Sequence, residues 1–175
     1  MSSENRTFSR VPTRLKMFFR FTEKDARPLF LGCLGCDFKD ISLESLNSPY
    51  LPKELLEFLS NLNNKLDVIL SLLNQNSLSQ DFPYKGEVVE ISGAGLKFLS
   101  QEKLEPGTPI EVALSLSTLP PLLIGLVGEI LRLEGEQNQK YLYALKYLFL
   151  RDSDREQIVQ FVFKEQRELL RGKKL

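Results

Sequence analysis

The sequence predicts a mainly β protein with α elements: a six-stranded antiparallel barrel, a C-terminal helix, and a long helical insertion between the first and second strands. Three observations carry this expectation. Apolar and polar residues alternate with a period of two in short segments bounded by Gly, Pro and Ser, the pattern of a sheet with one buried face. A leucine repeat with an average spacing near 3.5 residues interrupts that pattern in the first half of the chain. The last segment returns to helical spacing.

Arg14 to Phe21 reads as the first strand, with Leu15, Met17 and Phe19 alternating against Lys16 and Arg20. Residues 22–83 form the insertion. Its first part, through Ser48-Pro49, is loop-like, with an apolar stretch from Leu29 to Leu34. Leu51-Pro52-Lys53-Glu54 then marks a helix start, Pro and an acid being favoured in a first turn. Leu55, Leu59, Leu62, Leu66, Ile69 and Leu73 recur at spacings of 4, 3, 4, 3 and 4, a coiled-coil seam within a helical segment 53–74. Asn74 to Pro83, rich in Asn, Gln and Ser, reads as a linker.

Strands follow from residue 84 onward. Gly86 to Ile91 is one, Ser92 to Gly95 is a turn, and Leu96 and Phe98 flank Lys97 in the next. Pro106-Gly107 is a strong turn signal, after which Ile110, Val112, Leu114 and Leu116 keep strict period two. Leu122 to Leu133 and Lys140 to Leu150 are two longer strands around the polar turn Glu134 to Gln139. Ser153-Asp154-Arg155-Glu156 fits a capping box. The helix it opens carries Ile158, Phe161, Val162, Leu169 and Leu170 to cover one end of the barrel, and Gly172 stops it. The barrel domain therefore comprises residues 1–21 and 84–175.

Composition excludes several functions. The chain has 175 residues, 42% apolar and 26% charged, enough for one domain with a substantial core. Lys plus Arg and Asp plus Glu are equal at 23 each, which argues against a general DNA or RNA binder. With no His, imidazole acid–base chemistry, Ser-His-Asp triads and most zinc or iron sites are excluded. No catalytic residue, metal or cofactor is expected, and the chain reads as non-enzymatic. Two Cys argue against a disulfide scaffold and for a cytoplasmic location. Cys33 and Cys36 lack the further ligands of a zinc site and read as small packing residues. The first residues lack the apolar core of a signal peptide, and Leu119 to Val127 is too short to cross a bilayer, so no membrane insertion is expected.

Two short motifs point to a ligand. Arg6-Thr-Phe-Ser-Arg10 lies in a basic N-terminal segment, where five Lys and Arg residues up to Arg20 oppose Glu4 alone. Glu90-Ile-Ser-Gly-Ala-Gly95 spans the turn after the second strand. Together they resemble the paired signature of the PilZ domain family, RxxxR in an N-terminal arm and D/N-x-S-x-x-G at a strand-to-strand turn. The resemblance covers residues 5–21 and 84–171, and Arg10-Val11-Pro12 entering a strand agrees with it. Asp40 to Ser45 begins like the second motif but ends in Ser, with no alternating strand after it, and reads as a loop or cap.

The resemblance implies a cytosolic bacterial receptor or adaptor for the second messenger cyclic di-GMP. Arg6 and Arg10 would clamp phosphate and stack on guanine from a flexible arm, as guanidinium groups do both. Glu90, Ser92 and Gly95 would form the base-reading turn. Glu90 departs from the family's Asp or Asn and displaces its carboxylate by one methylene, which implies a loss of about 1–3 kcal/mol, roughly tenfold to a hundredfold in affinity. This departure is what favours the rival reading, a PilZ-like scaffold that binds no nucleotide and works through protein contacts. The leucine seam, widened by Leu56, Phe58, Val68, Leu70 and Leu72, implies a homo-oligomer, dimer or tetramer. The downstream protein partner is not readable.

Overall fold

The structure is a computed structural model that describes residues 9–28, 52–118 and 121–172. Arg6, Cys33, Cys36 and the segment Asp40 to Ser45 lie outside the described residues. Apolar alternation becomes strands β1 (Arg10–Phe21), β2 (Tyr84–Ser92), β3 (Gly95–Ser100), β4 (Pro109–Thr118), β5 (Pro121–Gln137) and β6 (Lys140–Phe149). Helix α1 (Lys53–Asp81) falls between β1 and β2, and α2 (Asp152–Gly172) follows β6. The strands pair antiparallel in the order β1-β2-β3-β6-β5-β4 and close on themselves through β1 and β4. A closed sheet leaves no edge with unpaired backbone groups.

The inward positions fill the barrel as one cluster that includes Phe19, Val88, Phe98, Val112, Leu126 and Leu145. Ile158 and Val162 of α2 belong to the same cluster, so the helix plugs one end as expected. Leu169 and Leu170 do not share in this. They are 43% and 65% exposed. The start of α2 also differs from the capping-box expectation. The Arg155 amide already bonds the Arg151 carbonyl, so Ser153 lies inside the first turn, and Arg151 Nε donates to Asp154 at 2.9 Å.

Two turns take their shape from single residues. At Pro106-Gly107 the glycine has a φ of 87°, and the Thr108 amide bonds the Glu105 carbonyl, the geometry that a Pro-Gly pair favours. Between β5 and β6 the turn is only Asn138-Gln139, both with positive φ, and β5 runs on to Gln137. The polar stretch from Glu134 is thus mostly strand, since a two-residue turn with this backbone matches the twist of the hairpin.

The largest correction is to α1. It continues to Asp81 through the residues read as a linker. Leu78 and Phe82 are buried against Ala113 and Leu123 on the outside of the barrel, with Phe18 beside them. That burial outweighs the modest helix propensity of the Asn, Gln and Ser residues. The helix stops because Phe82 precedes Pro83 and takes an extended backbone. Nearby, Arg20 pairs with the buried carboxylate of Glu111 at 2.7 Å and lies over the Phe82 ring, across the β1–β4 seam.

The other half of α1 carries exposed apolar residues. Leu55, Leu59, Leu62, Leu66 and Ile69 are 37–52% exposed in the single chain, and Phe58 is 63% exposed. Among the described residues, no helix is long and apolar enough to cross a membrane.

Tyr143 ties the core to the β3–β4 connection. Its hydroxyl accepts the Leu104 amide at 2.7 Å and donates to the Glu102 carbonyl at 3.1 Å. Burial raises its pKa, opposed by the Leu104 hydrogen bond. Tyr143→Phe is expected to leave the fold intact by circular dichroism and to lower stability in urea by about 1–3 kcal/mol, because the Leu104 amide loses its partner.

Candidate ligand site on the barrel wall

Register brings the two motifs together. β1 and β2 pair evenly from Phe19–Tyr84 to Leu15–Val88, then shift by one residue before Pro12, which lies opposite Glu90. Arg10 consequently lies opposite Ser92, whereas an unbroken register would set it opposite Gly93. Arg10 is thus the first residue of a paired strand and not part of a loose arm. A second irregularity acts on Glu90. Val88 pairs with Phe98 but Glu90 pairs with Lys97, so Val89 is an extra residue on β2. Strict period two would send Glu90 into the barrel alongside Val88. The bulge turns it outward and returns Ile91 to the core, where both Val88 and Ile91 are fully buried.

Pairing across neighbouring strands then lays out a row on the outer wall: Pro12, Glu90, Lys97, Ala144 and Arg132. The charges along this row are paired, for the most part across strands. Glu90 Oε1 is 3.6 Å from Arg10 and 3.7 Å from Lys97. Lys97 reaches past the small Ala144 to Glu134 at 2.8 Å, and Arg132 meets the same carboxylate at 2.6 Å. The hydrogen bond from Lys97 holds the Glu134 carboxyl below its usual pKa, opposed by burial and aided by Arg132. A shallow groove of about 270 Å³ runs along this band, lined by Arg10, Glu90, Lys97, Arg132 and Lys146.

At one end of the groove lies the turn Ser92 to Gly95. The Ser92 hydroxyl donates to the Gly95 carbonyl at 3.0 Å and accepts the amides of Ala94 and Gly95 at 3.3 Å. Its role here is to build the turn. Gly95 is required for a related reason: a Cβ there would sit 2.3 Å from the Leu145 carbonyl, a backbone atom that cannot turn aside. The close approach expected at this glycine is therefore to β6.

Of the five residues singled out for the ligand, Arg10, Glu90, Ser92 and Gly95 come together, and Arg6 lies outside the described residues. Lys97, Arg132, Glu134 and Lys146 were not singled out. They belong to strands whose alternation was legible, but no local motif marks them; only lateral pairing in the barrel brings them beside Glu90. The arrangement can receive a flat, anionic ligand: guanidinium and ammonium groups to meet phosphate, and a carboxylate to accept N–H groups.

Comparison with known proteins bears on the family and the fold. The PilZ domain model matches residues 64–164, beginning within α1 and ending within α2. No curated protein matches the sequence. Among solved structures, the Bacillus subtilis inhibitor of motility (MotI/DgrA) is similar at 11% identity with a TM-score of 0.53. That likeness covers 94% of this chain and 52% of the other, so the chain spans about half the length of that protein. A Xanthomonas campestris protein described as a tetrameric PilZ domain, self-assembled through a helical bundle, is similar at 22% identity with a TM-score of 0.56. Here the coverage is 94% of this chain and 92% of the other. At these identities the two likenesses establish the fold alone. With a family model matching more than half its length and a closed six-stranded barrel capped by α2, the chain belongs to the PilZ domain family.

Proposed function

We propose that this chain is a non-enzymatic receptor or adaptor for cyclic di-GMP in the cytoplasm of a bacterium, and that it assembles through α1. PilZ domains as a family are receptors for this messenger, and the observation that carries the reading to this chain is the pairing of Arg10 with Ser92. It puts the second arginine of the RxxxR motif on the same groove as the turn motif, with Arg6 four residues upstream. In this reading Arg6 and Arg10 clamp phosphate and stack on guanine, and Glu90 accepts guanine N–H groups. Ser92 and Gly95 hold the turn in shape.

One observation favours the alternative, an oligomeric scaffold that binds no nucleotide. Glu90 is already matched by Arg10 and Lys97. A ligand phosphate must draw Arg10 away from that carboxylate. Titration of the purified protein with cyclic di-GMP in a calorimeter separates the two readings. Heat of binding is expected; neither heat nor a thermal shift at millimolar ligand would leave the scaffold. Arg10→Ala is expected to weaken binding by at least about tenfold, the value of one charge-assisted hydrogen bond. Glu90→Asp is expected to tighten it, since the shorter side chain loosens its grip on Arg10; an unchanged affinity would show that Glu is tolerated.

Assembly rests on the exposed leucines of α1. A row of half-exposed Leu and Ile side chains along more than three helical turns is unfavourable in water and is covered when helices pack. The tetrameric Xanthomonas neighbour with its helical bundle supports this for our chain. Replacing Leu62 and Leu66 together by Asp is expected to convert an oligomer into a folded monomer, because both are exposed in the single chain and, among the described residues, none of the barrel-core cluster comes from α1. Light scattering checks this, and a monomeric unmodified protein at micromolar concentration would refute it.

A further inference from the structure

The turn between β2 and β3 is held from outside by two residues that belong to neither motif. The Ser92 carbonyl accepts the Tyr147 hydroxyl at 3.2 Å, and the Ala94 carbonyl accepts the Tyr147 amide at 3.3 Å. Between them, the Gly93 carbonyl accepts a short hydrogen bond from Nη1 of Arg155. With Ser92 Oγ on the Gly95 carbonyl, four successive carbonyls of the turn are engaged. Tyr147 is buried in the wall, and burial raises its pKa far above the ordinary phenol range, so it donates as a neutral hydroxyl.

Arg155 is different, because it comes from α2. It lies one turn before Ile158, which is fully buried in the barrel end, so the plug fixes where the guanidinium can reach. Gly93 and Ala94 offer no side chain longer than a methyl; Ser92 Oγ holds the Ala94 and Gly95 amides from inside the turn, and Arg155 holds the Gly93 carbonyl from outside it. A charged donor to a partly buried carbonyl is the strongest of these restraints. We propose that Arg155 is a positioning residue through which α2 sets the geometry of the ligand turn, so that any displacement of α2 is felt at the site. The effect on affinity rests on the cyclic di-GMP reading; the effect on the turn does not.

The test uses the full chain with Arg155→Ala and Arg155→Lys. In the absence of ligand, hydrogen exchange at the amides of residues 93–95 is expected to rise about tenfold or more in Arg155→Ala, with the barrel strands unchanged. Arg155→Lys, which keeps the charge but not the planar fork, is expected to restore part of the protection. Cyclic di-GMP affinity should fall and recover in the same order. Unchanged exchange at 93–95 in Arg155→Ala would overturn the proposal, and so would faster exchange spread evenly over the barrel, which is general destabilisation. If the unmodified protein binds no cyclic di-GMP while Arg155→Ala loosens only the turn, the receptor reading fails and the positioning role stands.

Discussion

Everything at the candidate site depends on β1 being paired on both sides. It is the strand farthest in sequence from its neighbours, separated from β2 by the whole insertion, yet it bonds β2 along one edge and β4 along the other. Closure removes the exposed edge that an open sheet would present, and the inward side chains then fill a sealed interior. The same closure delivers Arg10 to Ser92. A one-residue change in register would move that arginine along the turn, and the bulge at Val89 decides whether Glu90 faces solvent or the core.

The charged band on the wall is a balance of neighbours, not a patch of one sign. Arg10 and Lys97 share Glu90, while Lys97 and Arg132 share Glu134. These pairs are partly exposed, so each contributes little to stability. In the proposed receptor reading, a phosphate entering the groove would exchange one anion for another around cations already in place.

Helix α1 divides into two parts with different physics. Its C-terminal end is anchored by Leu78 and Phe82 on the barrel, beside the Arg20–Glu111 pair that spans the β1–β4 seam. Its N-terminal half carries an apolar row that is half-exposed in the single chain. The helical segment with the coiled-coil pattern is thus continuous with a C-terminal end that packs on the barrel.

Local chemistry was enough for the strands of alternating pattern, the Pro-Gly turn and the plug residues Ile158 and Val162, because each is written in residues close together in the chain. The same holds for the absence of His, which limits the available chemistry whatever the fold. What the tertiary structure alone decided is whatever depends on lateral neighbours. The bulges at β1 and Val89 leave no mark in an alternation that permits either face. The continuation of α1 through Asn, Gln and Ser rests on burial against Ala113 and Leu123, which local propensity does not register. Lys97, Glu134 and Arg132 meet because β6 offers a small Ala144 between them, and Arg155 reaches Gly93 because α2 plugs the barrel. Periodicity reports which residues share a face; closing the sheet determines which of them touch.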